Sequence, residues 1–315
     1  MGLHETIRHL FHSVRHRGHA SIVHQPLLND IEIQQLQRQA LSSINNPFAM
    51  NLDVQHQLLG ERTSSYSGSG YEFAEHRRYA NGDDMRFIDW RVMARTGKLY
   101  RKVFHEERRP QVYLVVDRRS PMRFATRTQL KVTCAIKQAI QLLYQARQQQ
   151  LLSGSVILEE TATWTQASQS NTHLHNLIQQ LNGPCPPNTG NKQAELINVL
   201  NELAVRLTPG CIIYLISDFH DLDESASSVL YHLSKQHRLH ALHVLDPAEL
   251  ALPSQGRFVL YDDNTKQNIN IDSNDANLTK QFATDMQQRR LEVEKTIRNT
   301  GGDYRLLMTD EVEHG

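Results

Sequence analysis

Two short runs decide how this chain folds: QVYLVVD at Gln111–Asp117 and CIIYLISDF at Cys211–Phe219. Each is a β-branched and aromatic apolar string that runs into an aspartate. Such a string, too short for a helix, fits a strand covered on both faces, as in a parallel sheet. The rhythm around them agrees. Leu130, Thr133, Ile136, Ile140, Leu143 and Ala146 recur at helical spacing within residues 129–148. Ser155–Leu158 reads as a strand, His173–Leu181 and Glu195–Leu207 as helices parted by the proline-rich loop 183–191, Asp223–Gln236 as a helix and Leu239–Leu245 as a strand. Leu278–Arg298 supplies a last helix and Tyr304–Met308 a closing strand. Alternation and an Asp-Asn turn in Arg257–Ile271 suit a hairpin near the sheet edge. This order gives an α/β fold: a mainly parallel, Rossmannoid sheet over residues 111–310 with helices on both faces.

Upstream the character changes. Residues 58–110 form a smaller charged module whose densest part is YEFAEHRRYANGDDMRFIDWRVMARTGKLY at Tyr71–Tyr100. Eleven basic residues face eight acids between Gly60 and Arg109, so the module is close to balanced and internal ion pairing is expected. Aromatic and aliphatic residues, Trp90 among them, are expected to point inward as anchors, and Gly82 and Gly97 suit turns with positive φ. Residues 1–57 read as a helical extension, with one helix over Asn29–Ser43. Leu3, Ile7, Leu10, Phe11 and Val14 give residues 3–14 an amphipathic pattern, which fits a helix packed on its own domain or a peripheral membrane contact.

The charged string resembles the signature of domain-of-unknown-function family fifty-eight. The matching pieces are Gly70–Phe73, Arg77–Tyr79, Gly82–Asp84, Arg86–Trp90 and Ala94–Leu99, followed by the strand ending at Asp117, Ile216–Phe219 and Asp246–Glu249. Arg77, Tyr79, Gly82, Asp83, Arg86, Asp89, Trp90 and Arg95 carry the signature and are read as structural. The resemblance implies a von Willebrand factor A-like domain that acts as adaptor to a MoxR-type AAA+ ATPase, without catalytic activity. It also implies a cleft at the carboxyl ends of the strands, where such domains hold a divalent cation with an Asp-x-Ser-x-Ser loop, a threonine and a further aspartate.

This chain departs from that pattern. After Asp117 come Arg118, Arg119, Ser120 and Pro121, so arginine and proline stand where serines would ligate. Thr189 is the candidate threonine and Asp218 the second aspartate. A retained Mg²⁺ would need Asp117, Ser120 and Asp218 in a shifted register. The preferred reading is a degenerate, metal-free adhesion site with no cofactor, a partner-binding cleft formed by Asp117, Arg118, Arg119, Ser120, Thr189 and Asp218. In it, Arg119 or Arg118 bridges Asp117 to Asp218, since two carboxylates facing one cleft are costly to ionise together.

Composition narrows the remaining classes. Lys plus Arg equals Asp plus Glu at 34 each, which removes a global electrostatic case for nucleic acid. Three separated cysteines suggest neither a disulfide framework nor a zinc knuckle, and no apolar run approaches the roughly eighteen residues of a membrane helix, so a cytoplasmic protein is expected. The 17 histidines, including His173 with His175 and His237 with His240 and His243, read as ordinary solvated or partly buried residues. The function expected is therefore a non-enzymatic adaptor for a MoxR-type ATPase and an unidentified protein client. The alternatives are a metal-dependent hydrolase or nuclease using the Asp83–Asp89 acids, and an RNA-binding module using the bases between Arg77 and Lys102.

Overall fold

The computed structural model describes residues 25–42, 72–80, 83–105, 111–123, 125–126, 129–186, 194–252, 257–262, 267–272 and 274–310. The chain forms two units, one of residues 51–109 and one joining residues 1–50 to 110–315. In chain order the elements are α1 (Asp30–Ser42), β1 (Glu72–Arg78), α2 (Trp90–Thr96), β2 (Tyr100–His105), β3 (Gln111–Asp117), α3 (Lys131–Gln148), β4 (Leu152–Leu158), β5 (Ala162–Ser168) and α4 (Asn171–Asn182). There follow α5 (Leu196–Arg206), β6 (Ile212–Ser217), α6 (Ala226–Gln236), β7 (Arg238–Leu245), α7 (Pro247–Leu250), β8 (Arg257–Asp262), β9 (Gln267–Asp272), α8 (Ala276–Asn299) and β10 (Asp303–Met308).

The larger unit is built on a six-stranded sheet of order β10-β7-β6-β3-β4-β5, parallel except where β5 returns antiparallel on β4. The apolar run of β6 is buried throughout, and β3 is buried after Gln111, as strands covered on both faces must be. On one face Tyr113, Val115, Ile213 and Leu215 pack against Leu200 and Leu203 of α5, Leu230 and Leu233 of α6 and Ile297 of α8. Helix α3 covers the other face, buried on most sides because α1 packs outside it. The stretch before α1 is tied down by Asn182: its Oδ1 accepts the Leu28 N–H at 2.7 Å and its Nδ2 donates to the Leu28 carbonyl at 2.8 Å.

Two expectations change here. Residues 162–168 form the edge strand β5, which the apolar pattern does not announce. The Arg257–Ile271 hairpin exists as β8–β9, but as its own two-stranded antiparallel sheet rather than an edge of the main one.

The smaller unit is an antiparallel β1–β2 pair with a turn and a two-turn helix between its strands. Asp89 starts that helix, its Oδ1 accepting the N–H groups of Arg91 at 3.0 Å and Val92 at 3.2 Å. Gly97 stops it at φ 68°, a left-handed conformation that suits glycine at a helix end.

Candidate functional site

Three parallel strands deliver carboxylates to one end of the main sheet. β3 ends at Asp117, β6 runs into Asp218 and β7 into Asp246. The chain leaves β3 to one side for β4 and returns on the other at β6, and a crevice outside the carboxyl ends of the strands forms at such a reversal.

Asp117 is buried and fully engaged. Its Oδ1 accepts the Arg119 N–H at 2.9 Å and Nε at 3.0 Å, and its Oδ2 accepts Arg119 Nη2 at 2.7 Å and Ser217 Oγ at 2.6 Å. The Arg119 guanidinium reaches on to Asp221 Oδ1 at 3.0 Å and the Ala194 carbonyl at 3.0 Å. Ser217 Oγ accepts the N–H of Phe219, a buried residue held at φ 50°, a conformation that is rare for a side chain of this size. The loop is braced from α8, where Arg289 Nη2 donates to the Leu222 carbonyl at 2.6 Å.

Asp218 turns to the other side. Its Oδ2 accepts Lys131 Nζ at 2.8 Å, and the same ammonium donates to Glu249 Oε1 at 2.7 Å. Its Oδ1 meets His220 Nδ1 at 2.8 Å. Lys131 is the first residue of α3 and has no exposed surface, so its charge sits at the positive end of a helix, against the usual preference. Two carboxylates offset that position and the lost water. Glu249 is held by the capping box of α7, its Oε2 accepting the Asp246 N–H at 2.8 Å. Asp246 accepts from Thr126, Ala248 and Thr309, tying the ends of β7 and β10 to the loop before α3.

Burial pushes the Asp218 carboxyl up, but Lys131 and His220 outweigh it and hold the group well below the usual carboxylate range. Burial lowers His220, and the facing Asp218 more than reverses this, so the imidazole holds its proton above its ordinary range. Glu249 is raised by burial, which Lys131 only partly offsets. Burial would lower Lys131 and Arg119; the carboxylates around them raise both instead.

These residues do not fit a hard divalent cation. Asp117, Asp218 and His220 each offer a ligand atom within 4.8 Å of the others. Yet every oxygen of the two aspartates already accepts from Arg119, Ser217, Lys131 or His220, and two buried protein cations would repel a third. Ser120 lies half-buried in the turn Ser120–Arg123, beside this network rather than in it.

The expected bridge between Asp117 and Asp218 is not formed. Arg119 joins Asp117 to Asp221, and Asp218 belongs to Lys131. Arg118 is not a cleft residue either. Its guanidinium is buried against the carboxyl end of α4, donating to the carbonyls of Gln180 at 2.8 Å, Leu181 at 2.9 Å and Gly183 at 2.9 Å, with Glu159 3.0 Å from Nε. A forked cation there satisfies the carbonyls a helix end leaves unpaired. Thr189 and Gly82 lie outside the described residues, as do residues 3–14. Lys131 and Asp221 were not read from the sequence, and Glu249 entered only as the end of the family-matching piece Asp246–Glu249, not as a site residue; its Asp-x-x-Glu spacing is a capping-box signal.

In the smaller unit the acids whose side chains are described, Asp83, Asp84 and Asp89, are spent on structure. Asp83 accepts from Arg77 at 2.7 Å, Arg101 at 2.9 Å and the Ala80 N–H at 2.9 Å, and the Ala80 bond leads in holding its carboxyl low. Arg86 brings the Asp84 carboxyl down to about 2 and His76 leads in bringing Asp89 there as well. Tyr79 is half-buried, its N–H donating to the Leu99 carbonyl, and Arg95 is exposed in the last turn of α2. Trp90 departs from expectation: it is 58 % exposed. On a 3.6-residue period Val92 takes the inward side of α2, which leaves Trp90 and Met93 facing out.

The histidines just before and within β7 are more deeply buried than expected. His237, His240 and His243 are buried, with His240 stacked on Tyr214 and His243 Nδ1 at 2.9 Å from the Tyr304 hydroxyl. They do not converge on a common point that would hold a metal.

Residues 75–292 match the family described as a protein of unknown function, DUF58. The chain belongs to that family. The chain is also similar to the uncharacterized proteins Mb1516 of Mycobacterium bovis and Rv1480 of Mycobacterium tuberculosis, each 28 % identical over 294 residues, covering 92 % of this chain and 90 % of the relative. Among solved structures, an aerotolerance-related membrane protein from Bacteroides fragilis aligns over 63 % of this chain and 91 % of its own, at 14 % identity and TM-score 0.41. BatB from Bacteroides thetaiotaomicron aligns over 61 % and 98 %, at 15 % and 0.40. Among the described residues of this DUF58 protein no helix is long and apolar enough to cross a membrane.

Proposed function

We propose that this DUF58 chain is a non-catalytic, cytoplasmic adaptor of von Willebrand factor A-like type, which couples a MoxR-type AAA+ ATPase to a protein client. The observation that carries the reading is the internal neutralisation of the crevice. Asp117 and Asp218, placed where a chemical site of this sheet would form, are each held by a buried cation of the chain itself, so the crevice is built as a fixed surface rather than a reactive one. The hydrolase alternative loses its supposed ligands, because Asp83, Asp84 and Asp89 are engaged by arginines, a histidine and backbone N–H groups.

The test is a pull-down with the cognate MoxR-type ATPase, with and without ATP. Association that depends on nucleotide is expected, weakened by the rim substitution Ser120→Lys with an unchanged melting curve. Failure of the wild type to associate in any nucleotide state would overturn the adaptor role.

A further inference from the structure

The smaller unit presents a face whose composition its own fold does not explain. Helix α2 places Met93, Trp90 and Ala94 on one outward stripe, and Arg91 with Arg95 on the stripe beside it, while Val92 faces in. Trp90 is 58 % exposed and Met93 36 %, and the flanking segments add Met85 at 60 % and Leu99 at 38 %. Trp90 and Met93, three residues apart on α2, form one exposed apolar pair beside cations, and exposed apolar patches rimmed by polar residues mark interaction sites.

Charge says what kind of partner fits. The module's described carboxylates are engaged: Asp83 by Arg77 and Arg101, Asp84 by Arg86, Asp89 by His76, Lys102 and the start of α2. Arg91, Arg95 and Lys98 are exposed and carry no ion pair among the described residues. Arg91 and Arg95 stand four residues apart on one helix side, a spacing at which like charges destabilise each other. An acidic partner would relieve that repulsion.

We infer that this face docks an acidic amphipathic segment of another protein, whose apolar side chains cover Trp90 and Met93 and whose carboxylates meet Arg91, Arg95 and Lys98. Tryptophan and arginine are the residues most often dominant in such contacts, and methionine adapts to irregular apolar partners. A nucleic acid would use the cations and the indole but leave the methionines idle. A membrane surface helix generally uses a longer apolar face than two turns offer.

The test uses the full chain carrying Trp164→Phe, which leaves Trp90 as the sole tryptophan of the two. The probes are a synthetic amphipathic helical peptide with leucine on one face and glutamate on the other, its lysine counterpart, poly-uridine RNA, and phosphatidylserine–phosphatidylcholine vesicles. The glutamate peptide is expected to shift Trp90 emission to the blue and protect it from acrylamide. By anisotropy of labelled peptide, Trp90→Ala with Met93→Ala should weaken binding at least tenfold without moving the melting temperature. Arg91→Glu with Arg95→Glu should reverse the preference toward the lysine peptide. Equal response to both peptides, no response to the glutamate peptide, or a stronger response to RNA or vesicles would overturn the assignment. So would a melting temperature lowered by Trp90→Ala, which would make the ring a packed one. Because no ATPase enters this measurement, its outcome is independent of the pull-down.

Discussion

Replacing Lys131 by methionine would leave Asp218 and Glu249 without their shared ammonium in a space closed to water. Breaking a buried pair from one side costs about 3–5 kcal/mol, and a loss of that order is expected in urea denaturation. Adding Glu249→Gln should recover part of it, since Asp218 keeps His220; a double variant no better than the single one would count against the shared-cation geometry. Arg118→Glu is expected to destabilise by several kcal/mol as well, because it faces an anion toward the carbonyls that end α4. An Arg118→Glu protein melting like the parent would place that side chain back at the cleft. The aspartates of the site were legible because each closes an apolar string. Of their cations, Arg119 was legible as the partner of Asp117 but Lys131 was not: a lysine heading an amphipathic helix looks like any solvated lysine, and nothing in the adjacent pair Arg118 and Arg119 says that only the second stays at the strand end. Trp90 misled for a related reason, since composition shows that a ring wants burial but not which side of a two-turn helix will receive it.

At the scale of elements, the buried strands and long helices were legible because apolar period and length agree over many residues. Strand β5 was not. Its residues are half-buried or exposed, with no apolar run and no strict alternation, and it is held by details invisible in sequence. One is Gly154, whose position leaves no room for a Cβ: such an atom would lie 2.7 Å from Tyr113 Cε1 and 2.8 Å from the Thr165 carbonyl oxygen. The Tyr113 hydroxyl in turn accepts the Ala167 N–H at 3.3 Å. Gly154→Ala is therefore expected to push β5 off β4, costing about 1–3 kcal/mol through overpacking. Hydrogen exchange should show it first at the β5 amides. Protection there equal to the parent's would mean that the tyrosine ring simply moves aside.

Over the whole molecule, stability should lean on pH through its histidines. Burial depresses His237 and His240 to about 4 and His243 to about 3, so their neutral forms stabilise fully above the unfolded value near 6.5 and that contribution is lost as pH falls toward 4. His220 has the opposite sign: its raised value gives a contribution that is complete below 6.5 and fades as pH rises through the folded value. Three groups against one predict a marked fall on the acid side and a shallow one on the alkaline side. His237→Leu, at a ring with no hydrogen-bond partner among the described residues, should recover about 2 kcal/mol at pH 5 relative to pH 8 in urea midpoints. An unchanged profile would mean that the ring is hydrated. Neither millimolar Mg²⁺ nor EDTA should move the melting temperature, whereas a bound cation at a hundred times its dissociation constant would add about 2.7 kcal/mol. The Lys131 ammonium gives that expectation a wider meaning. A counter-ion made by the ribosome arrives with every copy of the chain and cannot be competed for, chelated or starved away. On the proposed adaptor reading, a partner at this crevice is therefore expected to bind with an affinity that the supply of divalent ions does not set.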